Sequence, residues 1–290
     1  MAKKIVEVIN SQGEKEIFSW KKVYRSAKRA GASSRAAKEI ADRIEKEVYP
    51  GITTRKIFNE VQRLLRKKSL SSSIRFSLKD GIRKLGPTGF PFEKYVGGVL
   101  SANGFSNVRN NLHLRGNCAL YEIDFVATKD NTLYIGECKY HHLSGERVDL
   151  QVALYNFARY LDLKDASSIQ RYLSSGMEVK AMLVTNTKFT SQARSYSRCV
   201  GVELLGWNWP PQKGLEYLIT REGLYPITVL PSLTRGLRDI FLSNRLTLAK
   251  DILRFSPKSL SKELNIPINK AESLLKEANY LFQKEFDKKT

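Results

Sequence analysis

Asp124 and the triplet Glu137-Cys138-Lys139 are the residues whose types and spacing best suit chemistry. Side chains alternate across a strand, so Glu137 and Lys139 project from one face of the segment TLYIGECKY, and a hairpin with YEIDFVAT can bring Asp124 alongside them. Two carboxylates aimed at one point repel unless a cation sits between them, and hard cations take oxygen ligands. Asp124 and Glu137 are therefore candidate ligands of Mg²⁺ or Mn²⁺. Lys139 beside such an ion could orient or help deprotonate an attacking water, or hold a phosphate. Glu93, on a preceding helix, can add a third carboxylate, and Gln151 and Tyr155 lie one turn apart on the following helix. His141 and His142 follow the triplet, but adjacent strand residues point to opposite faces, so at most one can share the site.

The elements that must position these residues alternate between helix and strand. A helix is expected over 92–103, the hairpin strands over 121–128 and 132–140, and a helix over 148–162. The nearly continuous apolar run VKAMLVTN (179–186) is expected to be a central strand, followed by a helix over 190–199 and a strand over 202–207. This order implies an α/β fold, a mixed sheet flanked by helices. Before it, KIVEVI and KEIF read as two short strands around Ser11-Gln12-Gly13, and helical periodicities run through Val23, Ala27, Ile40, Ile44, Val61 and Leu65, with Thr54 as the N-cap of the third helix. The breaker cluster at 86–91 and the prolines Pro226 and Pro231 divide the chain into domains at 1–86, 87–230 and 231–290. In the last of these, two short helices flank the turn Asn265-Ile266-Pro267.

Composition bounds the partners. The chain of 290 residues carries a net charge of +20 and a pI near 9.8, and residues 1–90 hold 22 Lys+Arg against 9 Asp+Glu, a net +13. A polyanion such as DNA is the natural partner of that excess. No run approaches the roughly 18 apolar residues of a membrane span and the first residues lack a secretion signal, so a cytoplasmic protein without a membrane partner is expected. Three cysteines without a Cys-x-x-Cys pair argue against a disulfide framework or a structural zinc site.

The blocks FEKYVGGVLSANGFSNV, YEIDFVA, YIGECKYH and LQVALYNFARY, in this order, resemble the PD-(D/E)XK nuclease superfamily, and within it the catalytic domain of Mrr-like restriction endonucleases. The resemblance implies a restriction-endonuclease-like sheet, metal ligation by Asp124 and Glu137, a catalytic role for Lys139, and supporting roles for Glu93 and Gln151. The lead into the Asp is Leu120-Tyr121-Glu122-Ile123, where many Mrr-like domains carry glycines. The stretches VINSQGEKEIFSWKKVYRSAKRAG and YPGITTRKIFNEVQRLL resemble an ATP-cone, which implies ATP or dATP near Glu16, Lys22 and Thr54; Asn10-Ser11 stands where that family has Lys-Arg. The tail resembles a helix-hairpin-helix module without its glycines, and an ordinary helical pair serving dimer contacts is an equal alternative. The expectation is a metal-dependent DNA endonuclease, compatible with a homodimer because cutting both strands calls for two sites. A non-catalytic DNA-binding or nucleotide-sensing protein on the same fold stays open beside it.

Overall fold

The computed structural model describes residues 5–86, 89–173 and 176–283. Its chain forms two compact units, one made of 1–82 together with 225–290 and the other of 83–224. Pro87 and Thr88 of the breaker cluster, and Lys4 at the start of the first expected strand, lie outside the described residues.

The first unit opens with an antiparallel hairpin, β1 (Glu7–Ile9) and β2 (Lys15–Ile17), in the register Glu7↔Ile17. Asn10 Oδ1 accepts from the backbone N–H of Gln12 and of Glu14, at 2.8 and 3.0 Å, and so shapes the turn between them. Five helices follow: α1 (Trp20–Arg29), α2 (Ser34–Glu47), α3 (Thr54–Lys68), α4 (Leu70–Phe76) and α5 (Leu78–Arg83). Their periodic apolar residues, among them Val23, Ala27, Ile40, Ile44, Val61 and Leu65, form one core with Val8 of the hairpin. The N-cap of α3 is Thr53, whose Oγ1 accepts from Lys56 N at 3.3 Å, and not Thr54, which is the first helical residue. Position 53 is also where the chain bridges to Ile9, which leaves that residue extended, as a cap requires.

The second unit begins with α6 (Phe90–Ala102), which takes up two residues of the expected breaker. Pro91 fits the first turn because the N–H it lacks has no helical partner there. The strands β3 (Ser106–Arg115), β4 (Leu120–Lys129) and β5 (Thr132–Lys139) form an antiparallel meander. β6 (Arg147–Val148), α7 (Leu150–Leu163) and α8 (Ser167–Gln170) lead to β7 (Glu178–Thr185), which is parallel to β5. β8 (Lys188–Phe189), α9 (Ser191–Val200), β9 (Glu203–Leu205) and α10 (Leu215–Arg221) complete the unit, with β8 paired to β6. The result is a five-stranded mixed sheet in the order β3-β4-β5-β7-β9, with helices against it. Gly136 is required at its centre, since a Cβ there would lie 2.0 Å from the ring of Phe125, its cross-strand partner.

The chain then returns to the first unit through two 3-10 turns (227–229 and 249–254), α11 (Arg235–Ser243), α12 (Pro257–Leu264) and α13 (Ile268–Phe282). The left-handed Asn265 makes the turn between α12 and α13. This segment is not a separate third module, because the apolar face of α13 (Ala271, Leu274, Ala278, Leu281) is buried and the helix packs on α4, where Arg75 donates to Leu281 O at 3.2 Å. Thr228 Oγ1 donates to Gly81 O at 2.7 Å, tying the returning chain to α5. A Cβ on Gly81 would come within 2.7 Å of Val229 Cγ1. Gly81→Ala is therefore expected to lower the melting temperature, at an overpacking cost of about 1–3 kcal/mol. Adding Val229→Ala should recover part of the loss; a double variant no more stable than the single would show that the two segments do not share this contact.

Candidate functional site

The β4–β5 ladder runs from Lys129↔Thr132 to Phe125↔Gly136 and stops there. One step further the register sets Asp124 across from Glu137, at the point where the strands part. The N–H of Cys138, which a continued ladder would turn to a β4 carbonyl, instead donates to Asp124 Oδ2 at 2.6 Å. Glu137 Oε2 accepts from Arg159 Nη2, also at 2.6 Å, and Arg159 Nη1 reaches Glu122 O at 3.2 Å. The Arg159 side chain is 5% exposed and that of Glu137 21%, so this is a largely buried ion pair, and removing one partner strands the other charge. Asp124 Oδ1 and Glu137 Oε1 take no hydrogen bond among the described residues.

Electrostatics records the crowding. Burial, then the nearby Glu137 carboxylate, pushes the Asp124 carboxyl up to about 7, against the opposing pull of the Cys138 N–H and Arg159. Burial also raises Glu93, with Glu137 and Glu122 adding to it and a hydrogen bond from Asn111 working against it. The three carboxylates thus feel one another across the end of the sheet. Among the described residues, however, no three His, Cys, Asp or Glu side chains gather tightly enough to hold a metal ion by themselves. The two facing carboxylates each keep one oxygen clear of the bonds to Cys138 and Arg159, hard donors of the kind a divalent cation takes.

Glu93 is held in place from β3. Asn110 Nδ2 donates to both Glu93 O and Asp124 O, at 3.1 Å each, and Asn111 Nδ2 donates to Glu93 Oε2 at 3.2 Å. Consecutive strand residues ordinarily face opposite ways, but Asn111 has φ 56°, and this left-handed step lets both amides reach the same residue. Gly97 gives Asn110 its room, since a Cβ there would stand 2.4 Å from Asn110 Oδ1.

Lys139 shares the Glu137 face two residues on and is exposed. Gln151 is exposed in the first turn of α7, about 12 Å along the helix axis from Arg159, so Arg159 and not Gln151 is the α7 residue that touches Glu137. Tyr155 lies between them with its ring 5.6 Å from the Arg159 guanidinium. His141 points its Nδ1 at Glu146, 3.2 Å away, and its backbone N–H to Asn186, while His142 is exposed. In the first unit Lys22 Nζ lies 3.3 Å from Glu16 Oε2, and Thr54 sits at the start of α3 beside the Ile9–Thr53 bridge.

Comparison with known proteins bears on the chain as a whole. Residues 225–282 match the family described as AF1548-like, C-terminal. An uncharacterized protein of Archaeoglobus fulgidus is 33% identical over 180 residues, which span 62% of this chain and 95% of that protein. A crystal structure titled as a protein of unknown function, AF1548, superposes with a TM-score of 0.53 at 31% identity, covering 66% of this chain and 97% of that one. Can2 from Sulfobacillus thermosulfidooxidans, solved with cyclic tetra-adenylate, aligns at 15% identity over 75% of this chain and 68% of its own, with a TM-score of 0.33, too weak a likeness to carry a fold assignment.

The raised Asp124 carboxyl has a signed consequence for stability. Its folded value of about 7 lies above the unfolded value near 3.8, so its contribution is complete below pH about 4 and is lost as pH rises through 7. With EDTA present, Asp124→Asn is expected to melt above wild type at pH 8 and close to it at pH 4, by roughly 2–4 °C for each kcal/mol recovered. A melting difference that is the same at both pH values would remove the electrostatic origin.

Proposed function

The chain belongs to the family of the Archaeoglobus fulgidus protein and carries its AF1548-like C-terminal segment at 225–282, and we propose that its sheet unit is a metal-dependent deoxyribonuclease, most simply an endonuclease with a restriction-endonuclease-like core. The observation that supports this reading is the register that sets Asp124 across from Glu137 where β4 and β5 part, with Lys139 on the Glu137 face. Asp124 and Glu137 would hold Mg²⁺ or Mn²⁺ through the oxygens that Cys138 N–H and Arg159 leave open. When bound, such an ion lowers the pKa of its water and draws charge from the phosphate oxygens.

The chain's own residues do the remainder. Arg159 fixes the orientation of Glu137 and places a permanent positive charge beside it. Lys139, at the open end of the strand, holds the scissile phosphate or orients the attacking water. Glu93, fixed by Asn110 and Asn111, supports Asp124 from the helix side, and Gln151 stands farther out on α7 to meet the strand being cut. DNA is the substrate that the net charge of +20 favours.

Incubating the protein with plasmid, linear and single-stranded DNA, in Mg²⁺ and in EDTA, tests this reading. Asp124→Ala, Glu137→Ala and Lys139→Ala should each lower Mg²⁺-dependent cleavage by about 10²-fold or more while DNA binding in EDTA is largely kept. Undiminished cleavage in all three variants would rule out the site.

A second reading is nucleotide sensing by the first unit, whose hairpin and helices carry Glu16, Lys22 and Thr54 of the ATP-cone-like stretches, with Lys22 paired to Glu16 until a phosphate displaces it. ATP or dATP bound there should raise the melting temperature, because a ligand of the folded state stabilises it by about 2.7 kcal/mol at 100 times its Kd. A titration with each nucleotide that leaves the melt unmoved removes nucleotide sensing.

A further inference from the structure

The outer face of α1 carries a row of cations that the protein itself does not neutralise. Lys21, Arg25 and Lys28 recur at the four- and three-residue spacing of one helix face, and all three are exposed. Among the described residues none of the three makes an ion pair. α2 differs: its sequence SRAAKEIADRIEKE sets four acids among four cations, and Arg35 pairs with Glu39 and Arg43 with Glu47. On α1 itself there is no acidic residue, and Lys22, to one side of the row, is taken by Glu16. Cations meant only for solubility would do as well beside an acid, as they do on α2. Here the acids are withheld from one stripe.

The stripe also has a length. From Lys21 to Lys28 is seven residues, about 10 Å of helix, and a DNA strand presents a phosphate roughly every 3.4 Å along its axis. Three cations spread over that distance face a run of about four successive phosphates of one strand. The helix under them is fixed, with Val23 and Ala27 buried in the core and Trp20 stacked on Tyr24 at 5.1 Å and bonded to Asp42.

We propose that the Lys21–Arg25–Lys28 face of α1 is a docking surface for the phosphate backbone of DNA, a contact in the first unit that is separate from the carboxylates of the sheet. The surface takes the same polyanion as the nuclease reading and rests on it for the identity of the partner. Contacts of this kind, to phosphate, fix a protein on the duplex without reading its sequence.

Fluorescence anisotropy of a short labelled duplex, in EDTA so that nothing is cut, reads the surface directly as a function of salt. The triple variant Lys21→Ala, Arg25→Ala, Lys28→Ala is expected to bind at least about tenfold more weakly, with a log–log salt slope shallower by about 2–3, since each lost phosphate contact removes about 0.9. The Gln triple at the same positions should behave alike and guards against an effect of the alanines on folding. A control triple at the exposed Arg35, Lys38 and Lys46 of α2 should keep the wild-type slope to within one contact. A stripe variant with an unchanged slope, a control with an equal loss, or wild-type protein that binds phosphatidylserine vesicles but not the duplex would each overturn the proposal. Cleavage in Mg²⁺ is scored separately: a protein that cuts DNA yet keeps its slope in the stripe variant loses this surface and keeps the nuclease. One that binds through the stripe yet never cuts loses the nuclease and keeps the surface.

Discussion

Two carboxylates are set facing each other at the end of a sheet, largely out of water, and much of the second unit is arranged around their repulsion. Each charge makes the other costlier to hold ionised. Asp124 meets that cost partly by a raised proton affinity and partly by the Cys138 N–H, while Glu137 is met by Arg159. α7 is in turn placed by the right-handed logic of a β5–α7–β7 crossover, which lays a helix across the sheet next to the strand it follows.

The opening of the strands is itself built. If β4 continued beside β5 past Phe125↔Gly136, the Cys138 amide would be spent on the ladder and Asp124 would have no seat. The Asn110 amide takes the Asp124 carbonyl and the Glu93 carbonyl together, which pins β4 to α6 at the residue where the ladder ends. Gly97 permits that approach and the left-handed Asn111 doubles it. The site thus depends on three residues, none of them charged, whose purpose is to let a backbone diverge.

Some of this was legible in the residues and some was not, for definite reasons. β4, β5 and β7 announce themselves because their buried positions need branched and aromatic side chains, and the Asp124 and Glu137 pairing follows from a short hairpin with fixed alternation. β3 was not expected, because SNVRNNLHLR is mostly polar; it lies on the edge of the sheet, where only one neighbour demands packing and two left-handed asparagines interrupt the alternation. Arg159 was passed over since an arginine in a helix normally belongs to its wet side, and only the Glu137 contact explains a buried one. Eight residues set it about 80° round the helix from the exposed Gln151, so spacing alone does not single it out. Beside the three domains expected with ends at 86 and 230, the chain packs as two units, 1–82 with 225–290 and 83–224, because sequence marks where a chain changes character and not which pieces pack together.

That last difference changes how the first unit must form. Its hairpin and five leading helices come from residues 5–83, but α4 is covered by α13 from residues 268–282, and the Thr228 to Gly81 bond closes the unit only after the second has been traversed. The sheet unit is therefore an insertion whose two ends are fastened within its host. The entropy of closing so long a loop grows only slowly with its length, and an insert already folded holds its own ends and lowers that cost further. A sheet unit that folds first thus lowers the entropy of completing the basic unit.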